Sequence, residues 1–268
     1  MSLYTYFKEK YLLISNIAFY WDSKKGNIEK IDNMKTIPLN LLIGIDRQKN
    51  TLFENTKNFA NGNFTNNVLL WGARGSGKST LIKSIFIKLN IEYSNLKIIQ
   101  INKDDFLEII KIYSKINLHT KYRFILFIDD LSFEIIDKSY KLIKSLLDGS
   151  IINQPKNSII YVTSNRRHLM SRNMIDNERS SAIHTDESVE EKISLSDRFG
   201  LWIGFHSLSQ NEYLNIIKSY CEYYKISLED DELKKSIQWS LQRGNRSVRT
   251  AWQFIIKLAA EKNLKISY

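Results

Sequence analysis

The stretch Gly72-Ala73-Arg74-Gly75-Ser76-Gly77-Lys78-Ser79 decides the fold. It follows the short apolar run Val68-Leu69-Leu70-Trp71, and apolar residues recur after it at helical spacing up to Leu89. A glycine, four residues and then Gly-Lys-Ser, placed between a strand and a helix, is the pattern of a phosphate-binding loop. The glycines let backbone amides point at phosphate oxygens, and the helix N-terminus adds a field that favours negative charge. The sequence therefore predicts ATP binding by this loop and by Thr80, the next residue.

Lys78 and Ser79 have separate expected roles in this loop. The lysine should reach the β- and γ-phosphates, and the serine hydroxyl should ligate Mg²⁺. Asp129, 51 residues after Lys78, comes at the end of the apolar run Phe124–Ile128 and is followed by Asp130. A carboxylate at this point can hold Mg²⁺ through water, and a second one can orient and deprotonate the attacking water. Two acids could equally form a plain turn, but beside a phosphate loop the catalytic interpretation is favoured.

Apolar runs and amphipathic helices alternate along the middle of the chain. Strands are predicted at 68–71, 96–101, 124–128, 159–163 and 201–205, with helices at 46–59, 105–116 and 138–148. This alternation predicts an α/β fold with a parallel five-stranded sheet between two helical layers. Strand signals stop near residue 207, and three amphipathic helices follow, at 209–224, 230–242 and 246–262. We therefore divide the chain into a helical extension (1–40), an αβα core (41–206) and a small helical lid (207–268).

Further segments resemble the AAA+ ATPases, a class of P-loop NTPases. Leu42-Ile43-Gly44-Ile45-Asp46, followed by a helix, looks like the segment that contacts adenine in that family, which implies a nucleotide-binding role for Ile43 and Gly44. Val162-Thr163-Ser164-Asn165 matches the sensor 1 strand end. The resemblance places Asn165 between the acids and the γ-phosphate.

Two arginine positions belong to the same resemblance. Leu195-Ser196-Asp197-Arg198-Phe199-Gly200 is similar to the arginine-finger segment of the Holliday-junction branch-migration motors. Gly244-Asn245-Arg246-Ser247 resembles their sensor 2, with Arg246 favoured and Arg249 as the alternative. An arginine finger acts on the nucleotide of a neighbouring subunit, so the resemblance implies a homo-oligomeric ring with Arg198 acting in trans. A local ion pair with Asp197 or Glu191 is the alternative role for Arg198.

A closer resemblance is to a family of bacterial predicted AAA+ ATPases catalogued as a domain of unknown function. Its style is visible in four segments, at 67–75, 129–133, 163–169 and 189–200. The resemblance covers about residues 40–260 and leaves the N-terminal extension outside. This likeness implies the fold and says little about the biological task.

The second acid departs from the AAA+ pattern. Most members carry Asp-Glu where this chain has Asp129-Asp130. Aspartate is one methylene shorter, so the base would lie about 1 Å or more from the expected water, and catalysis depends steeply on such placement. The difference favours slow hydrolysis and leaves ATP binding unaffected.

Composition sets further expectations. The 268 residues carry a net charge of +10, which is compatible with a nucleic-acid partner, but the excess is spread along the chain. The single cysteine, Cys221, excludes an intramolecular disulfide and has no obvious metal-binding partners, so we expect it to be packed. No secretion signal opens the sequence and no apolar run reaches the roughly 18 residues of a membrane helix, so we expect a cytoplasmic protein without a membrane partner.

Three functions remain open from the sequence. The first is an oligomeric AAA+ ATPase that couples Mg·ATP hydrolysis to remodelling of a protein or nucleic-acid client. The second is a nucleotide-dependent binding switch or loader with little hydrolysis, and the third is a P-loop kinase for a small molecule, which the sensor and finger segments disfavour. Phe106 is predicted to be a core residue rather than a pore aromatic. The long polar stretch 168–194 fits a partner-binding or a disordered role equally well.

Overall fold

A computed structural model of the chain describes residues 3–132, 154–167 and 198–267, with side chains from Glu9 onward. The predicted helix at 138–148, the polar stretch 168–194 and the first half of the arginine-finger segment, 195–197, lie outside these residues. Arg198 itself is described.

Within the part of the chain that the structure describes, one sheet of seven strands forms the centre, in the order β2-β1-β4-β5-β6-β3-β7. The five predicted strands are confirmed as a continuous parallel block: β3 (Val68–Gly72), β4 (Leu96–Ile101), β5 (Arg123–Ile128), β6 (Ser158–Ser164) and β7 (Leu201–Phe205). Parallel pairing brings the carboxyl ends of these strands to one edge of the sheet. The phosphate loop, the acid pair and Asn165 each follow such an end.

The N-terminal extension differs from the expectation that it is helical. It begins with helix α1 (Leu3–Ser15) but continues as a hairpin of β1 (Ala18–Asp22) and β2 (Asn27–Lys30). Strand β1 pairs parallel with β4, with Ala18 opposite Ile98. The extension therefore adds two strands to the edge of the predicted sheet.

Helices cover both faces of the sheet, as the predicted three-layer fold requires. Along β5, Phe124, Leu126 and Ile128 pack on one face, with α1 and α4 (Ile109–Ile116). Alternate residues Ile125 and Phe127 pack on the other face, with α2 (Asp46–Ala60) and α3 (Lys78–Asn90). A strand buried on both sides needs a continuous apolar run, and β5 has one.

The lid consists of three helices around their own core: α5 (Gln210–Tyr223), α6 (Asp230–Gln242) and α7 (Val248–Glu261). A capping box begins α5, with Ser209 and Glu212 each accepting a hydrogen bond from the other's backbone amide. Gly244, with φ of 66°, follows the end of α6 in the left-handed conformation that favours glycine. Cys221 is buried among the lid's apolar side chains.

Two smaller expectations concern apolar residues. Phe106, in a 3₁₀ turn at Lys103–Glu108, is only 2% exposed and packs in the core, as predicted. Over the residues that the structure describes, none of the helices has both the length and the apolar character needed to cross a membrane.

A buried ion cluster fastens α1 to the end of α4. The carboxylate of Glu9 is 2% exposed, accepts a hydrogen bond of 2.6 Å from Lys115 Nζ and lies 3.5 Å from His119 Nε2. Burial acts to raise the pKa of Glu9, but the hydrogen bonds from His119 and Lys115 outweigh it and leave this pKa below its usual value of 4.5. The ionised carboxylate therefore stabilises the docking of α1.

Replacing Glu9 with glutamine should destabilise the protein by about 1–3 kcal/mol at pH 7, since a hydrogen-bonded buried charge is lost. Because the folded pKa is the lower one, this contribution is present above the unfolded value of 4.5 and disappears as the pH falls. Urea unfolding of wild type and Glu9→Gln at pH 7 and pH 4 would measure it, with exposed Glu54→Gln as control. A gap between Glu9→Gln and wild type that stays constant with pH would contradict the assignment.

Candidate functional site

The phosphate loop joins β3 to α3 in a tight backbone curl. Gly72 has a φ of 130°, and a Cβ there would lie 1.9 Å from the carbonyl oxygen of Phe205 on β7, so only glycine fits. Gly77, with φ of 95°, is the N-cap of α3, which begins at Lys78. The loop therefore directs the positive end of α3 toward the space above the carboxyl edge of the sheet.

Lys78 is held inside this curl. Its ammonium donates to the carbonyl oxygens of Gly72 and Ala73, each at 2.8 Å, and to Asn165 Oδ1 at 3.2 Å. Burial lowers the pKa of Lys78 to about 8, while the nearby carboxylates of Asp130 and Asp129 act in the opposite direction. The chain thus keeps a partly desolvated cation at the mouth of the loop.

Asp129 and Ser79 meet at the end of β5. Ser79 Oγ donates to Asp129 Oδ1 at 2.5 Å, and Thr163 Oγ1 donates to the same oxygen at 2.6 Å. A hydroxyl and a carboxylate are hard oxygen ligands of the kind that Mg²⁺ prefers. The described residues contain no group of three or more His, Cys, Asp or Glu side chains able to hold a metal alone. A magnesium ion here would need phosphate oxygens and water to complete its shell, which is its usual mode of binding in nucleotide sites.

Asp130 has an uncommon backbone conformation, with φ of 54°. Its amide donates to Thr163 Oγ1 at 2.9 Å, and its Oδ1 accepts a hydrogen bond from Asn165 Nδ2. Aspartate tolerates the left-handed region better than most residues do, yet such conformations persist only where neighbours hold them. Asn165 therefore connects the buried cation of Lys78 with the carboxylate of Asp130.

These groups line one cavity of about 380 Å³. The predicted residues in its wall are Arg74, Gly75, Ser76, Gly77, Lys78, Ser79, Thr80, Asp129, Asp130 and Asn165. Gly72 and Ala73 contribute through their carbonyl contacts with Lys78. Sequence reasoning did not single out five other lining residues, Ile37, Lys83, Thr163, Val248 and Trp252.

The lid approaches the loop through the start of α7. The amide of Arg249 donates to the carbonyl oxygen of Gly75 at 3.2 Å, and a Cβ on Gly75 would lie 3.2 Å from the Cβ of Arg249. Arg249 lines the cavity, and its charge acts to lower the pKa of Lys78. Arg246 precedes α7 and is not among the described lining residues; its Nε is buried without a hydrogen-bond partner there. Of the two lid arginines, the structure brings the sequence alternative, Arg249, to the site.

Ile43 and Gly44 also lie outside the described lining of this cavity. Ile43 packs against the lid core instead. The apolar end of the cavity is formed by Ile37 from the segment after β2 and by Val248 and Trp252 of α7. Val248 and Trp252 could have been found from the sequence once Arg249 was considered. Val248 directly precedes Arg249, and Trp252 follows it by one helical turn.

Arg198 is placed away from this cavity. It precedes β7, whose first residue, Leu201, pairs with Val68 at the amino end of β3. The phosphate loop follows the opposite end of β3, and a five-residue strand is about 13 Å long from first to last Cα. Arg198 therefore lies at the opposite edge of the sheet from the loop of its own chain.

The chain is similar to known proteins in its family assignment and in its fold. The family described as "Protein of unknown function (DUF815)" matches residues 15–262. This match takes in the β1–β2 hairpin, which the sequence resemblance left outside the family region. No curated protein is similar enough in sequence to count as a match.

Among solved structures, the chain is similar to the Aeropyrum pernix ORC1 protein in complex with DNA, at TM-score 0.55 and 13% identity over 88% of this chain and 67% of that one. It is also similar to domain III of the Thermotoga maritima replication initiation protein DnaA, at TM-score 0.52 and 15% identity over 86% and 91% of the two chains. The Thermotoga maritima RuvB Holliday junction branch migration motor aligns at TM-score 0.43 and 18% identity over 82% and 70%. The fold is the predicted P-loop fold of the AAA+ type.

The two lid arginines give a matched test of the site. Arg249→Ala removes a cation that lines the cavity and should weaken ATP binding about tenfold, which corresponds to one charge-assisted contact. Arg246→Ala removes a similar charge three residues earlier and should change it little. Equilibrium titration of a fluorescent ATP analogue would measure both. The reverse order would support the sequence preference for Arg246 instead.

Proposed function

Because the chain belongs to the DUF815 family and has the AAA+ fold, we propose that it is an oligomeric ATPase that uses Mg·ATP binding and hydrolysis to remodel a macromolecule. The observation that carries this proposal is the convergence of the phosphate loop, Asp129, Asp130, Asn165 and Arg249 on one cavity. Those groups have the charges and hydrogen-bonding capacity that phosphoryl transfer needs, since catalysis of that reaction depends on positioning and electrostatics.

The cavity suggests how ATP would lie. Loop amides and the start of α3 bind the phosphates, and the ammonium of Lys78 pairs with their charge. The adenine ring of ATP then reaches the apolar end of the cavity, which is formed by Ile37, Val248 and Trp252. Aromatic and aliphatic side chains are suited to burying the flat face of an adenine ring.

Ser79 and Asp129 are the residues that would hold magnesium. Their oxygens already lie 2.5 Å apart, and Thr163 donates a second hydrogen bond to the same oxygen of the Asp129 carboxylate. When bound, the ion would neutralise charge on the phosphate oxygens. The chain supplies the ligands and their orientation.

Asp130 is the proposed base and Asn165 its positioning residue. The amide of Asn165 donates to the carboxylate of Asp130 and its oxygen accepts from Lys78. This arrangement holds the carboxylate of Asp130 near the loop and accounts for the left-handed backbone at that residue. An attacking water would be oriented between Asp130 and Asn165.

Arg198 is proposed to act on the ATP of an adjoining copy. Its place at the amino edge of the sheet keeps it from the loop of its own chain, whereas a neighbour stacked against that edge would receive it. Such an arginine can contribute about 10³–10⁵ in rate by stabilising transition-state charge. The catalytic site is then completed only in a ring of copies.

A second candidate is a nucleotide-dependent switch or loader that hydrolyses ATP very slowly. One observation favours it, the short side chain of Asp130 together with its hydrogen bond to Asn165. A carboxylate that is short and already hydrogen-bonded to Asn165 binds the attacking water poorly. The phosphate loop, and with it ATP binding, is unaffected. In both candidates a client with an acidic surface, nucleic acid or protein, fits the net charge of +10.

The experiment that tests the proposal mixes two inactive variants. Lys78→Ala should abolish ATP binding and Arg198→Ala should leave binding intact but hydrolysis near background. In an equal mixture, half of the sites keep an intact loop and half of these receive Arg198 from a Lys78→Ala neighbour. Hydrolysis should therefore return to about a quarter of the wild-type rate, as random assembly of a ring dictates.

The control mixes Arg198→Ala with the double variant Lys78→Ala/Arg198→Ala, in which no copy supplies the arginine. Recovery there, or its absence in the first mixture, would contradict the role in trans. Wild-type turnover no higher than that of Lys78→Ala would overturn the ATPase proposal and leave the switch.

A further inference from the structure

A second cavity, of about 220 Å³, lies beside α3 and is separate from the nucleotide cavity in all but one lining residue. Its apolar lining is formed by Ile98 of β4 and Phe127 of β5, which pack on one face of the sheet, together with Ile31 and Met34 from the segment after β2. Phe19 of β1 also borders the cavity, although its side chain packs on the other face of the sheet. The unpredicted hairpin of the N-terminal extension therefore helps to build it. Its size is below the usual 300–1,000 Å³ of drug-sized pockets, which limits an occupant to about ten heavy atoms.

The rim of this second cavity is cationic. Lys35, from the segment after β2, and Lys83, from α3, stand at its mouth with the amide side chains of Asn33 and Gln100. Among the described residues, none of the lining side chains is acidic, and no carboxylate lies within 4.0 Å of either ammonium. Two unpaired cations over an apolar lining match an organic anion with a compact apolar body.

Two features connect this cavity to the nucleotide cavity. Lys83 lines both. The segment that carries Lys35 continues to Ile37, which lines the nucleotide cavity. That segment is fastened to α3, since Ser84 Oγ lies 2.9 Å from Thr36 Oγ1 and donates to the carbonyl oxygen of Ile37 at 2.7 Å.

We propose that the second cavity binds a small organic anion, a carboxylate or sulfonate on an aromatic or short aliphatic body, through Lys35 and Lys83. Occupation of this site and binding of ATP are coupled, because both ligands are anions that draw on Lys83. The coupling is reciprocal by thermodynamic necessity, so each ligand lowers the affinity of the other by the same factor. The site itself does not depend on the proposed ATPase activity.

The test uses 4-fluorobenzoate as the probe and follows its ¹⁹F NMR signal during titration of the full chain. Wild type should bind it saturably, and Lys35→Met should weaken binding about threefold to tenfold, as expected for a partly solvated ion pair. Lys218 is an exposed residue of α5 that lines neither cavity, so the control variant Lys218→Met should bind the probe as wild type does. Inorganic phosphate, which has no apolar body, should displace the probe only at much higher concentration.

Two further arms separate this site from the phosphate loop. Lys78→Ala should bind the probe normally, and Lys35→Met should bind ATP normally. Saturating Mg·ATP should weaken probe binding to wild type about twofold to tenfold. Equal probe binding by wild type and Lys35→Met, or loss of it in Lys78→Ala, would overturn the site. Probe affinity unchanged by ATP would overturn the coupling.

Discussion

The hydroxyl of Thr163 holds together the carboxyl edge of the sheet beside the phosphate loop. It donates to Asp129 Oδ1 at 2.6 Å and accepts from the amide of Asp130 at 2.9 Å, so one buried group fixes both acids. Its own carbonyl oxygen accepts from the amide of Leu131 at 2.8 Å, which extends the link past the end of β5. These contacts depend on the parallel register of β5 and β6, in which Ile128 pairs with Val162. The register of the sheet therefore sets the positions of the two acids in the site.

The sequence predicts the parts of the fold that local residue patterns specify, and it does not predict the parts that depend on pairing between distant segments. The five central strands are short apolar runs between helices, and burial on both faces makes such runs stand out. The hairpin was missed because its evidence is not local. Strand β1 is fixed by pairing with β4, so that Ala18 meets Ile98, about 80 residues away in the sequence. Without that partner, the aromatic run at 19–21 could not be distinguished from a continuation of the preceding helix.

The candidate site divides in the same way. The loop and the acid pair were predictable because their chemistry requires fixed residue types at strand ends. The lid arginine was not, because its direction depends on where α7 begins. The helix starts at Val248, so Arg249 lies in its first turn beside Gly75 while Arg246 lies before it. The number of residues after Gly244 does not show where α7 begins. The apolar end at Ile37 and Trp252 likewise depends on how the lid docks, which no local motif encodes.

Lys78 is a buried cation whose ammonium is held in place by the loop carbonyls and Asn165. Burial lowers its pKa to about 8, so the neutral form increases above that pH and must be protonated before it can pair with phosphate. Bound phosphate would raise that pKa, and the affinity for ATP should therefore fall as the pH increases.

Calorimetric titration with Mg·ATP at pH 7 and pH 9 is the most direct measurement. We predict one ATP per chain at pH 7 and an affinity up to about tenfold lower at pH 9. The pH effect should be absent in Lys78→Arg, whose side chain stays charged. Equal affinities for wild type and Lys78→Ala, or no binding by wild type at pH 7, would contradict the account.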